Sequence, residues 1–251
     1  MLVMGILNVT PDSFADGGKH NDFESAVARG LEMIAEGVDI IDIGGESTRP
    51  GADRVSEEEE IARTIPVIRE LAKHDVKISI DTMRASTAKA AIDAGASIIN
   101  DVSGGLADPL MLQTAAALKV PYIAMHWRGQ SKDMNSKAIY GDVVSDVISE
   151  LQERVDAALD AGITAENLII DPGLGFAKDA DHNWAIIDAI DQFVALGYPV
   201  LVGASRKRFL GGDTPDEREQ ATIDLTKRLA PTGVWAVRVH SVKPHKEVLS
   251  V

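Results

Sequence analysis

The sequence predicts an eight-fold β/α barrel of α/β class. Short apolar strands recur about thirty residues apart, alanine-rich helical stretches lie between them, and each strand runs into polar or charged residues. The 251 residues also match the roughly 250 of one such barrel, so the chain, 1–251, reads as a single TIM-type barrel domain.

The first strand, Met4-Gly5-Ile6-Leu7, ends at Asn8. The second, Val38 to Ile43, runs into Gly44-Gly45-Glu46-Ser47-Thr48-Arg49. Ile78-Ser79-Ile80 ends at Asp81, Ser97-Ile98-Ile99 at Asn100-Asp101, and Tyr122-Ile123-Ala124-Met125 at His126. Leu168-Ile169-Ile170 ends at Asp171, Val200 to Gly203 at Ser205-Arg206-Lys207, and Val234 to Val237 at Arg238 and His240. In a barrel, these ends all open onto one face, where the chemistry is found.

Helices are read from 3.6-residue periodicity and from glycines at their ends. Phe23 to Gly37 carries one apolar stripe, and Glu57 to Lys73 starts acidic, as the helix dipole favours. Thr87 to Ala94, Asp142 to Ala161 and Asp181 to Leu196 each close on glycine, and Glu217 to Ala230 precedes Pro231 and Gly233. The connections 10–22, 44–56 and 127–141 exceed a minimal turn; the first two read as a cover over the barrel mouth.

Composition narrows the function. A net charge of −14 argues against nucleic acid and anionic membrane as partners, since both need a basic surface. With no cysteine there is no disulfide, thiolate nucleophile or zinc–sulfur site. The amino terminus lacks a basic leader and no apolar run reaches ~18 residues, so a cytoplasmic protein is expected.

Asp81, Asn100 and Asp171 end three different strands and would share one cavity. One such Asp is ordinarily a cap or brace, but unpartnered carboxylates are costly to bury, and three polar groups converging call for a ligand. A carboxylate accepts paired bonds from an amidine-like edge and Asn both donates and accepts, which suits a nitrogen heterocycle. A second set is cationic: Arg49, Arg206, Lys207, Arg208, Arg238 and His240. Each alone reads as a solvated charge, but they gather at strands two, seven and eight, where barrels often bind phosphate. His126 reads as a structural hydrogen-bonding residue, and Ser205 has no evident base in its sequence context.

These residues resemble the bacterial dihydropteroate synthases of the pterin-binding barrel superfamily. The resemblance rests on residues 5–14 (GILNVTPDSF), 44–51 (GGESTRPG), Ile80-Asp81-Thr82, Ile99-Asn100-Asp101, Asp171-Pro172-Gly173, Gly203 to Lys207 and Arg238-Val239-His240. It implies a transferase that joins 6-hydroxymethyl-7,8-dihydropterin diphosphate to p-aminobenzoate in folate synthesis. By the same resemblance Asp81, Asn100, Asp171 and Lys207 bind the pterin. Asn8, Thr48, Arg49, Arg238 and His240 form the diphosphate end, with Mg²⁺ bridging Asn8 and the diphosphate. Phe14, Pro50, Arg206 and Lys207 border the p-aminobenzoate pocket, and a homodimer is expected. Lys207, Arg238, His240 and Arg49 are the expected catalytic residues.

Two departures stand out. Ser241 occupies a position where the family usually has Asp, and is expected to cap the following helix. The connection after Lys207 is short. Rival readings are a corrinoid-linked pterin or folate methyltransferase, a non-catalytic pterin-binding paralogue and a Schiff-base aldolase using Lys207. The retained cations favour the synthase.

Overall fold

A computed structural model describes residues 1–10, 19–46, 55–129 and 134–250. Its strands are β1 (Leu2–Asn8), β2 (Ile40–Gly44), β3 (Lys77–Asp81), β4 (Ile98–Asp101), β5 (Tyr122–Met125), β6 (Leu168–Asp171), β7 (Leu201–Val202) and β8 (Ala236–Val239). Its helices are α1 (Lys19–Ala35), α2 (Glu57–Leu71), α3 (Ala85–Asp93), α4 (Met111–Leu118), α5 (Val143–Asp160), α6 (Ala180–Asp188), α7 (Ile190–Val194), α8 (Glu219–Leu229) and α9 (Lys243–Leu249).

The strands form one parallel sheet in the order β6-β5-β4-β3-β2-β1-β8-β7. Between β6 and β7 the ring is joined by a single bridge, Ile170 to Val200. Inside it, Met4, Ile40, Ile98, Ile123, Ile169, Leu201 and Ala236 pack into one apolar plug. Side chains alternate along a strand, so the residue two places beyond a plug residue faces inward again. That rule carries Asp42, Asn100, Met125, Asp171, Gly203 and Arg238 to the mouth side of the plug. A larger apolar layer between strands and helices, including Ile41, Ile80, Ile99, Ile170, Val202 and Val237, takes the outward positions.

Local chemistry sets the helix starts. The Ser56 hydroxyl accepts the Glu59 N–H at 3.2 Å ahead of four glutamates in the first turn of α2. Asp142 accepts the Ser145 N–H at 2.8 Å at the start of α5, and Asp179 forms a capping box with His182 at α6.

Several elements differ from the sequence reading. β8 runs two residues further than expected, so Arg238 lies within the strand. The helix expected over 181–196 breaks at Ala189, where φ is −105° and ψ 21°, and becomes α6 and α7. The buried register of Ile186, Ile187, Ile190 and Phe193 continues across the break. α4, Met-Leu-Gln-Thr-Ala-Ala-Ala-Leu, is apolar on most sides and shows no polar stripe to announce it. Ser241 does not cap α9, whose first flanking residue is Val242 in helical conformation without a side-chain cap. The Ser241 hydroxyl instead accepts from Arg206 Nη2 at 2.8 Å.

Candidate active site

Asp81, Asn100 and Asp171 lie at the mouth ends of β3, β4 and β6, each less than a tenth exposed. They join a third carboxylate that sequence reasoning missed. Asp42, fully buried in the middle of β2, accepts from Asn100 Nδ2 at 3.0 Å and from Arg238 Nε at 2.6 Å. A carboxylate only accepts, so Asp42 fixes the Asn100 amide with its NH₂ toward β2. Arg238 Nη2 donates to Asp81 Oδ2, also at 2.6 Å. The signal for Asp42 was an acid flanked by Ile40, Ile41 and Ile43, where the apolar run should have been unbroken.

Asp171 and Lys207 approach from β6 and from beyond β7. A Cβ placed on Gly203 would stand 3.9 Å from Asp171 Oδ2, 4.0 Å from Lys207 Nζ and 3.9 Å from Arg238 Cβ, so this glycine leaves the space among them open. Burial pushes the Asp171 carboxyl up, opposed first by the Gly173 N–H bond at 2.7 Å and then by Lys207. Burial also lowers Lys207 to about 8, with Asp171 pulling the other way. Asp81 is pushed up by burial and drawn back by Arg238. The Arg238 guanidinium remains charged between its two acids.

The β6–α6 turn is held from below. Gly173 has φ +68°, and a Cβ there would lie 2.4 Å from the His126 carbonyl oxygen, so only glycine fits. Lys178, 8% exposed, donates to the Gly173 and Phe176 carbonyls, both at 3.1 Å, and contacts His126 Nδ1 at 2.8 Å. His126 Nε2 meets Glu150 at 2.9 Å, and Glu150 also pairs with Arg128. His126 therefore braces the turn, as its sequence reading has it. The turn carries the Leu174 carbonyl, which accepts from Lys207, and the Phe176 ring, whose centroid lies 4.7 Å from Lys207 Nζ. Met83, Val102 and Met125 form an apolar patch beside Phe176.

His240 directly follows β8, with Nδ1 2.9 Å from the Ser205 hydroxyl. The two are 35 residues apart in sequence, which is why no base was evident for Ser205. Arg206, at φ +57°, donates from Nε to Glu219 at 2.6 Å. Arg208 is exposed. Asn8, partly exposed at the end of β1, makes no side-chain hydrogen bond among the described residues. Phe14, Thr48, Arg49 and Pro50, and with them the proposed cover, lie outside the described residues. The flanks of 47–54 are tied together, however. Arg84 donates to Glu46 at 2.8 Å, to the Val55 carbonyl at 2.5 Å and to buried Glu60.

The fold and site thus define a β/α-barrel enzyme whose acid-lined mouth is balanced by cations from its seventh and eighth strands. The family described as pterin binding enzyme matches residues 4–240. Dihydropteroate synthase of Mycobacterium leprae is 48% identical over 259 residues, covering 99% of this chain and 91% of the relative. Dihydropteroate synthase of Xanthomonas albilineans with 4-aminobenzoic acid superposes with a TM-score of 0.93 at 44% identity, covering 99% of this chain and 90% of that one. A structure of the Xanthomonas albilineans synthase in complex with 7,8-dihydropteroate gives 0.89 at 40% identity, covering 99% and 91%. The chain belongs to the pterin-binding enzyme family and is a transferase.

Proposed function

We propose that the chain catalyses the dihydropteroate synthase reaction: 6-hydroxymethyl-7,8-dihydropterin diphosphate and p-aminobenzoate give 7,8-dihydropteroate and diphosphate, in folate synthesis. The observation that carries this reading is the convergence of Asp171, Lys207 and Arg238 around the space kept open by Gly203. Relatives named for the same activity match nearly the whole chain.

In this reading Asp171, Asp81 and the oriented Asn100 amide receive the polar edge of the pterin ring. Lys207 donates to an acceptor on the same ring, Arg238 compensates the burial of Asp42 and Asp81, and the acid-lined pocket tolerates the cationic methylene. As the C–O bond to diphosphate lengthens, charge gathers on the leaving group; His240, Thr48 and Arg49 stabilise it by donating to its oxygens. The arylamine of p-aminobenzoate attacks as a neutral nucleophile and needs no strong base. Phe14, Pro50, Arg206 and Lys207 border its pocket. The partners are therefore small molecules.

Mg²⁺ fits the residues present. Asn8 offers a hard amide oxygen free of other bonds among the described residues, and Mg²⁺ is commonly held by one or two protein oxygens together with substrate phosphates and waters. When bound there, the ion would neutralise charge on the diphosphate.

A cytoplasmic location and a homodimeric assembly belong to the same proposal; no helix among the described residues is long and apolar enough to cross a membrane. The deciding experiment is incubation with the pterin diphosphate, Mg²⁺ and p-aminobenzoate, followed by mass detection of dihydropteroate. Absence of product from folded protein overturns the reading.

A further inference from the structure

Ser205 lies two residues before Lys207 and is 5% exposed. Among the described residues its hydroxyl makes two contacts, both with one residue: it accepts the His240 backbone N–H at 3.1 Å and stands 2.9 Å from His240 Nδ1. A hydroxyl has one proton and two acceptor lone pairs, while a backbone N–H can only donate. One lone pair is therefore committed to the main chain just after β8.

Two arrangements remain for a neutral imidazole. If Nδ1–H donated to the second lone pair, the Ser205 proton would be buried with no acceptor among the described residues, and such an orphan is expensive. If the hydroxyl instead donates to a bare Nδ1, the backbone N–H, the hydroxyl and the ring nitrogen are all satisfied. In that tautomer the ring hydrogen sits on Nε2. The partner of one imidazole nitrogen decides which nitrogen keeps the proton. Phosphate oxygens only accept, so a ring meeting them must present N–H rather than a lone pair.

We propose that Ser205 is a positioning residue that locks neutral His240 as the Nε2–H tautomer, presenting a hydrogen-bond donor to the diphosphate. The second half of this statement rests on the placement of His240 at the diphosphate end. The first half stands on the Ser205 geometry alone. Anchoring through the backbone N–H and the ring of the same residue also fixes where the imidazole sits, not only its protonation pattern.

The test uses ¹⁵N-histidine-labelled, ligand-free protein at about pH 8.5, where ordinary imidazole is neutral. His240 is assigned by the signals lost in His240→Gln. Long-range proton–nitrogen correlation should show a hydrogen-free Nδ1 and a protonated Nε2 in the parent chain. Ser205→Ala should give a mixture of tautomers and raise the KM for the pterin diphosphate about three- to tenfold. Affinity for free 6-hydroxymethyl pterin should stay unchanged. Ser205→Thr, which retains the hydroxyl, should restore both the tautomer and the KM. Nδ1–H in the parent chain, or the parent pattern persisting in Ser205→Ala, overturns the lock. If the tautomer changes while the KM does not, the lock stands and the assignment of His240 to the diphosphate falls.

Discussion

Arg238 Nη2 donates to Asp81 Oδ2 at 2.6 Å while its Nε donates to Asp42 Oδ2 at the same distance, so one guanidinium joins two carboxylates buried on neighbouring strands. The cation expected at the diphosphate end thus also neutralises the acids of the pterin pocket.

Arg238→Ala is therefore expected to destabilise the fold by about 3–5 kcal/mol, because it leaves Asp42 and Asp81 buried without their cation. Adding Asp42→Asn should recover part of that loss. Urea unfolding of the parent, both single variants and the double variant measures the coupling; strict additivity would contradict it. Free pterin and pterin diphosphate should both bind more weakly to Arg238→Ala.

Asp171→Asn should leave the barrel folded, since the amide oxygen can keep the Gly173 N–H bond. Pterin binding should fall by about 1–3 kcal/mol or more, because an NH₂ then faces ring donors. Calorimetry with a pterin fragment reads this directly, and unchanged affinity would remove Asp171 from the pocket.

Acid should loosen the brace beneath the β6–α6 turn. Burial, reinforced by Lys178, holds His126 down from 6.5 to about 4. Between these values the unfolded chain binds a proton that the native state does not. The His126 contribution to stability is thus full above about 6.5 and falls as pH drops toward 4, by on the order of 3 kcal/mol. Glu150, lowered from 4.5 to about 2 first by its His126 bond and also by Arg128, extends the loss to lower pH. In His126→Gln the slope of unfolding free energy between pH 4 and 6.5 should flatten by nearly one proton; an unchanged slope refutes the account.

Arg84→Ala should cost about 3 kcal/mol or more by leaving Glu60, 1% exposed, without its cation. It should also raise the KM for the pterin diphosphate more than that for p-aminobenzoate, because Thr48 and Arg49 lie between the two points that Arg84 ties. Steady-state kinetics at saturating co-substrate would check this, and Arg84→Lys should rescue only part, lacking the fork geometry.

Much of this was legible in the order of residues because a strand carries its own period. Ile169 in the plug puts Asp171 in the mouth, and Ile98 does the same for Asn100. Asp42 obeys the same arithmetic but sits mid-strand among isoleucines, where a search for strand ends passes over it. Lys178 and His126 are 52 positions apart, and their contact exists only once β5 and β6 lie side by side. The destination of Ser241 is hidden for a similar reason: a local cap is visible in sequence, whereas Arg206 reaching across 35 residues is not.

The single bridge between β6 and β7 makes the ring a hoop with one weak joint, since the other neighbouring strands are each paired through two or more residues. Asp171 stands on one lip of that joint and Lys207 follows the strand on the other. A pterin held by both would rivet the hoop shut, so the amide hydrogen of Ile170, bonded across the joint to the Pro199 carbonyl at 3.0 Å, should exchange with solvent far more slowly once the ring is filled.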